Sequence, residues 1–169
     1  GRALEFADYR AYTPGDDPKL VDWRAYNRLD RLYLKQFREE RARTIGLLID
    51  GSASLDFGDG PSHKGLYARQ LAAAIAWIGL GHAERVQAFV LQRDQAFALP
   101  TVAVRGGALS LFRALEAVRE RDALALSAAV RSALAQLRGS GPLFLLTDLL
   151  DAEWQPALQL LAQREQADT

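Results

Sequence analysis

The sequence predicts an α/β fold: a doubly wound, mostly parallel sheet with helices on both faces, behind an extended N-terminal accessory segment. Two continuous apolar runs of strand length, "TIGLLID" (44–50) and "GPLFLLTD" (141–148), read as strands covered on both faces. Segments with helical periodicity alternate with such runs, and right-handed crossovers between parallel strands place helices on both sides of the sheet. The 169 residues are one domain's worth of chain, enough to bury a real core.

Residues 1–42 are polar and rich in aromatics. There "TPGDDPKL" (13–20) predicts a turn and a short helix opened by Pro18, and the alternation of "LYLKQF" (32–37) predicts a strand. The remainder, 43–169, is apolar and periodic. After the strand 44–50 comes a loop, Gly51 to Ser62, rich in Gly, Ser and Asp. "HKGLYARQLAAAIAWIGL" (63–80) predicts a helix with Leu66, Leu71, Ile75 and Ile78 near one face and Gly79 and Gly81 bracketing its end. "RVQAFVLQ" (85–92) is a strand, and "QAFALPTVAV" (95–104) a second one broken by Pro100. "GALSLFRALEAVRE" (107–120) and "DALALSAAVRSALAQLR" (122–138) are helices, the latter with Asp122 as N-cap and Gly139 as stop. "AEWQPALQLLAQRE" (152–165) closes the chain as a helix with Pro156 near its first turn.

Composition narrows the function. Apolar residues make up 49% and charged ones 25%, an ordinary soluble range, and formal net charge is zero, which argues against a nucleic-acid or membrane-surface role. Cysteine is absent and only His63 and His82 are present, so disulfides, thiolate metal sites and a histidine zinc site are not expected. The longest apolar stretch, Leu71 to Leu80, is too short to span a bilayer, and no signal peptide is visible; a cytoplasmic location is expected. The absence of methionine, and an opening that already reads as structured chain, lead us to expect segments outside this sequence, a membrane anchor among them being open.

In parallel sheets ligands sit at the carboxyl ends of strands. Asp50 and Asp148 both lie at such ends, and their carboxylates would converge if the two strands are neighbours. Asp50, Ser52 and Ser54 bring a carboxylate and two hydroxyls to one turn, hard oxygen donors suited to Mg²⁺, with Mn²⁺ or Ca²⁺ as alternatives. Three protein oxygens leave positions for water or for a partner's carboxylate, and Thr147-Asp148 would orient bound water. The plain alternative is a polar turn whose short side chains satisfy loop amides and cap the next helix. A phosphate loop is excluded by the order of residues in "DGSASLDFGDGPSHKG".

"DYRAYTPGDDPKLVDW" (8–23), "LYLKQFREER" (32–41) and "LLIDGSASLDFG" (47–58) together resemble the signature of a bacterial family catalogued as domain of unknown function 58. The resemblance runs to about Asp151. It implies a von Willebrand factor type A-like, Rossmann-like domain carrying a metal-ion-dependent adhesion site. Asp50, Ser52 and Ser54 match the first element of that site and Asp148 the last. The threonine of the second loop has no counterpart: Leu124 stands near its place, with Asp122 the candidate substitute ligand and Ser127 the next nearest oxygen donor. Type A domains usually add two more strands and helices after the strand matching "GPLFLLTD", so the resemblance implies a C-terminally truncated sheet with that strand's edge exposed. The arginine-rich, lysine-poor composition fits a high-GC bacterium.

Arg24, Arg28, Arg31, Lys35 and Arg38 recur every three or four residues among Trp23, Tyr26, Tyr33 and Phe37, the pattern of a basic, aromatic nucleic-acid stripe. Asp22, Asp30, Glu39 and Glu40 offer these cations local partners, and the expected reading is an accessory layer packing its aromatics on the type A domain, with no nucleic acid bound. The resemblance thus implies a non-enzymatic protein-interaction module, its partner a MoxR-type AAA+ ATPase or that ATPase's client, acting in protein maturation or assembly. The alternative is a Mg²⁺-dependent hydrolase using Asp50 and Asp148, which needs a general base; His63 is the histidine nearest the loop in sequence and is expected to be solvated.

Overall fold

The computed structural model describes residues 4–17, 19, 21–23, 26, 32–39, 43–152 and 154–167. The chain divides into two compact units, Gly1–Arg41 and Ala42–Thr169.

The first unit is built on an antiparallel pair. Strand β1 (Leu4–Ala11) pairs with β2 (Tyr33–Glu39), from Leu4 opposite Glu39 to Ala11 opposite Tyr33, with an irregularity between Phe6 and Asp8. Val21 forms an isolated bridge to Leu34, and both are buried. Beyond β1 the chain turns as "TPGDD" predicts. Asp16 accepts from the Thr13 amide (2.9 Å) and hydroxyl (2.8 Å) and from Arg10 (2.7 Å), while Gly15 takes the positive φ of 108° that the turn requires. The Arg10 hydrogen bond first, then the Thr13 amide and hydroxyl, pull the Asp16 carboxyl down to about 2. Pro18 and the stripe residues Arg24, Arg28 and Arg31 lie outside the described residues.

The second unit is a mixed α/β domain with a mostly parallel four-stranded sheet. Its strands are β3 (Thr44–Asp50), β4 (Arg85–Gln92), β5 (Gln95–Ala98) and β6 (Leu143–Leu146), in the spatial order β5-β4-β3-β6. Strand β3 runs parallel to β4 and to β6, and β5 returns antiparallel to β4 through the Arg93-Asp94 turn, Arg93 at φ 56°. Pro100 ends the β5 segment as expected, and Val102 then bridges back to Val86. Four helices accompany the sheet among the described residues: α1 (Lys64–Gly81), α2 (Ala108–Ala117), α3 (Leu126–Gln136) and α4 (Trp154–Ala167). None is long and apolar enough to cross a membrane.

Because side chains alternate along a strand, β3 feeds two cores. Ile45, Leu47 and Ile49 pack with Ala72, Ala76 and Leu80 of α1 and with Leu111 and Leu115 of α2. Leu48 packs with Phe89 and Leu91 of β4, Leu126, Ala129, Val130 and Ala133 of α3, and Ala157 of α4. Every residue of β3 is buried, as a central strand requires. Burial of a Leu or Ile side chain stabilises by about 1.5–3 kcal/mol, so Leu47, Leu48 and Ile49 anchor the domain. Strand β6 ends the described sheet, and its four residues are half-buried.

One local feature is new and one expectation is corrected. Helix α1 does not present Leu71 and Ile78 inward: these are 38% and 61% exposed, while Ala68, Ala72, Ala76 and Gly79 are buried. Small side chains let the helix approach the sheet closely; a Cβ on Gly79 would collide with Ile45 Cδ1. Asp122 is not the N-cap of α3, which begins at Leu126 with Ala125 in that position. Asp122 instead sits in a left-handed turn, φ 64°, that carries the chain past the β3 loop.

Candidate functional site

Strand register brings the predicted site together. Ile49 lies opposite Leu146, so Asp50, the last residue of β3, and Thr147-Asp148, just beyond β6, leave neighbouring strands side by side. Past Asp50 the chain makes a 3-10 turn, Ala53–Leu55, pinned by the buried Leu55. Asp50 itself is 4% exposed and organises the turn: its Oδ1 accepts from the Ser52 amide (2.8 Å) and its Oδ2 from the Thr147 hydroxyl (2.6 Å). A carboxylate oxygen has two lone pairs, so each keeps bonding capacity toward the loop.

The hydroxyls form a relay. Ser54 donates to Asp148 Oδ1 (3.3 Å), and having spent its proton it accepts from Ser52 Oγ (2.9 Å). Asp148 Oδ1 also accepts from the Leu150 amide (3.3 Å), and its Oδ2 from the Lys64 ammonium (3.0 Å). Burial opposes ionisation of Asp148 and is the largest single influence; the Lys64 hydrogen bond, the Leu150 amide, the Lys64 charge and the Ser54 hydroxyl together outweigh it and hold the carboxyl below its ordinary value. Asp148 is therefore a carboxylate at neutral pH.

Asp50, Ser52, Ser54 and Asp148 are thus joined in one hydrogen-bonded cluster, and the chemistry of the set fits a hard divalent ion. Octahedral Mg²⁺ holds oxygens at about 2.1 Å, which places adjacent ligands about 3.0 Å apart. The Ser52–Ser54 and Ser54–Asp148 separations, 2.9 and 3.3 Å, are close to that edge length.

The second loop contributes backbone alone to this arrangement. The Arg121 amide donates to the Gly51 carbonyl and the Ala53 amide to the Asp122 carbonyl, both at 2.9 Å. Asp122, the candidate substitute ligand, pairs its carboxylate with Arg93 at 3.3 Å. Leu124 packs against the core that holds α3 and α4 and so supplies no oxygen from its side chain.

Sequence reasoning missed two members of this region. Lys64 was one, although a lysine at the first residue of a helix, where the dipole disfavours a cation, signals a nearby anion. The other was the role of His63. It is not merely solvated: its Nδ1 accepts from the Leu66 amide (3.1 Å) and caps α1, which leaves Nε2 to pair with Asp56 Oδ1 (3.0 Å). Asp56, His63 and Glu120 bring ligand-type atoms within 4.8 Å of one another, a second group of metal-ligating residue types near the same loop. Glu120, however, is paired with the little-exposed Arg69.

Fold and site define a class: an α/β domain whose central strands end in a carboxylate–hydroxyl cluster suited to a hard cation. The chain belongs to the family described as "Protein of unknown function DUF58", which it matches over residues 8–167. It is 26% identical over 170 residues to the uncharacterized protein Mb1516 of Mycobacterium bovis and, equally, to the uncharacterized protein Rv1480 of Mycobacterium tuberculosis. Those alignments cover 98% of this chain and 54% of each relative, so the chain spans about half the length of the curated relatives it matches.

Proposed function

We propose that this domain is a non-enzymatic protein-interaction module of the von Willebrand factor type A kind, doubly wound, whose Asp50, Ser52, Ser54 and Asp148 form a reduced metal-ion-dependent adhesion site. The observation that carries the reading is the meeting of the Asp50 turn with Asp148 at the ends of adjacent strands, where Ser52 Oγ lies 2.9 Å from Ser54 Oγ and Ser54 Oγ 3.3 Å from Asp148 Oδ1. With a divalent ion bound, the site supplies Lewis-acid attraction for a carboxylate of the partner protein. The surroundings favour a protein partner: Phe57 and Leu150, 69% and 70% exposed, flank the cluster, Phe57 through its contact with Lys64 and Leu150 through its amide on Asp148. By the family resemblance, the partner is a MoxR-type AAA+ ATPase or its client, met in the bacterial cytoplasm during protein maturation or assembly. A hydrolase reading finds less support. Among the described residues, the two carboxylates accept from backbone amides, hydroxyls and Lys64, while His63 is occupied with Asp56 and the α1 cap.

The test is a titration of Mg²⁺ and Mn²⁺ into wild type, Asp50→Asn and Ser54→Ala, read by melting temperature and by heat. Wild type should gain several degrees at saturating ion, since a ligand that binds the folded state alone stabilises it, and both variants should lose most of that gain. No rise in the wild type would falsify the adhesion-site reading. Hydrolysis of phosphate esters that disappears in Asp50→Asn would overturn the non-enzymatic one.

A further inference from the structure

Lys64 occupies an electrostatically expensive position. It is the first residue of α1, where the positive end of the helix dipole repels an ammonium, and it is held there by the Phe57 carbonyl, which accepts its amide at 2.9 Å. Its side chain crosses to the other wall of the site and ends 3.0 Å from Asp148 Oδ2, with the Phe57 ring 5.4 Å beneath the nitrogen. Asp148 is 15% exposed and Lys64 38%, so the contact is partly shielded from solvent. Oδ1 of the same carboxylate receives Ser54, and so faces the position where an ion would sit. The cluster therefore holds two carboxylates and one ammonium, a balance of one negative charge before any ion arrives.

We propose that Lys64 is the resident counter-cation of this cluster: it neutralises Asp148 when no divalent ion is bound and competes with the ion for that carboxylate. The proposal rests on the metal reading of the site and adds what sets its affinity. A dication on the Oδ1 side of Asp148 would stand within a few ångströms of the ammonium, and charges that close repel strongly in a partly desolvated setting. The site is thereby tuned to weak, salt-sensitive ion binding. It also avoids two shielded carboxylates with no counter-charge while no ion is bound.

The test uses Lys64→Gln, Lys64→Arg, Asp148→Asn and the Lys64→Gln/Asp148→Asn double variant, with Mn²⁺ titrated calorimetrically and melting recorded in metal-free buffer. Lys64→Gln should bind Mn²⁺ at least about tenfold more tightly than wild type, and Lys64→Arg, which keeps the charge, should not. Without metal, Lys64→Gln should melt a few degrees lower, and that loss should largely vanish in the Asp148→Asn background, the non-additivity that marks a direct pair. Additive melting shifts overturn the proposal, as does a Lys64→Gln protein that takes Mn²⁺ no more tightly than wild type. If Lys64→Gln binds Mn²⁺ and wild type does not, the counter-cation role stands and the metal-loaded reading of the native site falls.

Discussion

Two polar groups border the loop after β3, and they differ in what their atoms have left to give. In the Asp56–His63–Glu120 group the residue types are the more conventional metal ligands, and their atoms lie within 4.8 Å of one another. Each is nevertheless engaged in holding the fold. For His63 to bind an ion through Nε2, its Nδ1 would have to carry the proton, and the Leu66 amide at the start of α1 would lose its acceptor. For Glu120 to bind one, Arg69 would be left as an uncompensated, little-exposed cation. In the Asp50–Ser52–Ser54–Asp148 group the two hydroxyls bond to one another and to Asp148, Asp50 holds the Ser52 amide and Thr147, and Asp148 is paired with the half-exposed Lys64, so an ion there would compete chiefly with that lysine. The two groups differ in what an ion would have to displace: a helix cap and the partner of a little-exposed arginine in one, hydroxyl bonds and a half-exposed lysine in the other.

That distinction can be broken by substitution, most forcefully at Glu120. Glu120→Ala should destabilise the protein by about 3 kcal/mol or more, because it strands Arg69, yet leave the divalent-induced rise in melting temperature unchanged; urea denaturation with and without Mg²⁺ measures both. His63→Ala removes a helix cap and should cost about 1 kcal/mol, with His63→Asn recovering most of it and neither variant losing the ion response. Loss of the Mg²⁺ response in His63→Ala would move the ion to the wrong cluster and reverse the comparison. Ser54→Ala should behave oppositely, with a metal-free stability change of about 1 kcal/mol or less and most of the ion response gone.

The smallest effect concerns pH. The folded Asp148 carboxyl lies below its ordinary value, so its contribution to stability is present above the unfolded carboxylate range near about 4 and is lost as pH falls through the folded value. Asp148→Asn should therefore flatten the acid limb of a stability profile taken between pH 6 and 3. Lys64 is partly exposed, so solvent screening keeps the difference modest. An unchanged acid limb would show that the Lys64–Asp148 pair contributes nothing to folding.

Much of this was open to inspection in the chain. Strands β3 and β6 announce themselves as continuous apolar runs, because a strand covered on both faces has no polar side to display. Their polar ends, Asp50-Gly51-Ser52 and Thr147-Asp148, mark where each apolar run stops; Asp50 and Ser52 stay buried there because the turn and its neighbours satisfy them. The inner face of α1 is not legible in the chain, because large apolar residues at helical spacing mark a face without saying which face packs. The helix is in fact held close by Ala72, Ala76 and Gly79, and closeness is a property of the packed sheet that no single helix's periodicity reports.

Sequence by itself determined the class of fold and the hard-oxygen character of the donors in the loop after β3, because apolar continuity and residue type are local properties. Tertiary structure alone decided which donors meet and in what state. The bond from Ser54 to Asp148 spans 94 positions and that from Lys64 to Asp148 spans 84, distances over which only the parallel register of β3 and β6 can choose a partner. It also turned Asp122 toward Arg93, spent His63 on a helix cap and set a lysine where the sequence had suggested only a metal. Charge and hydrogen-bonding capacity are settled by neighbours in space, and those neighbours exist only once the strands have paired.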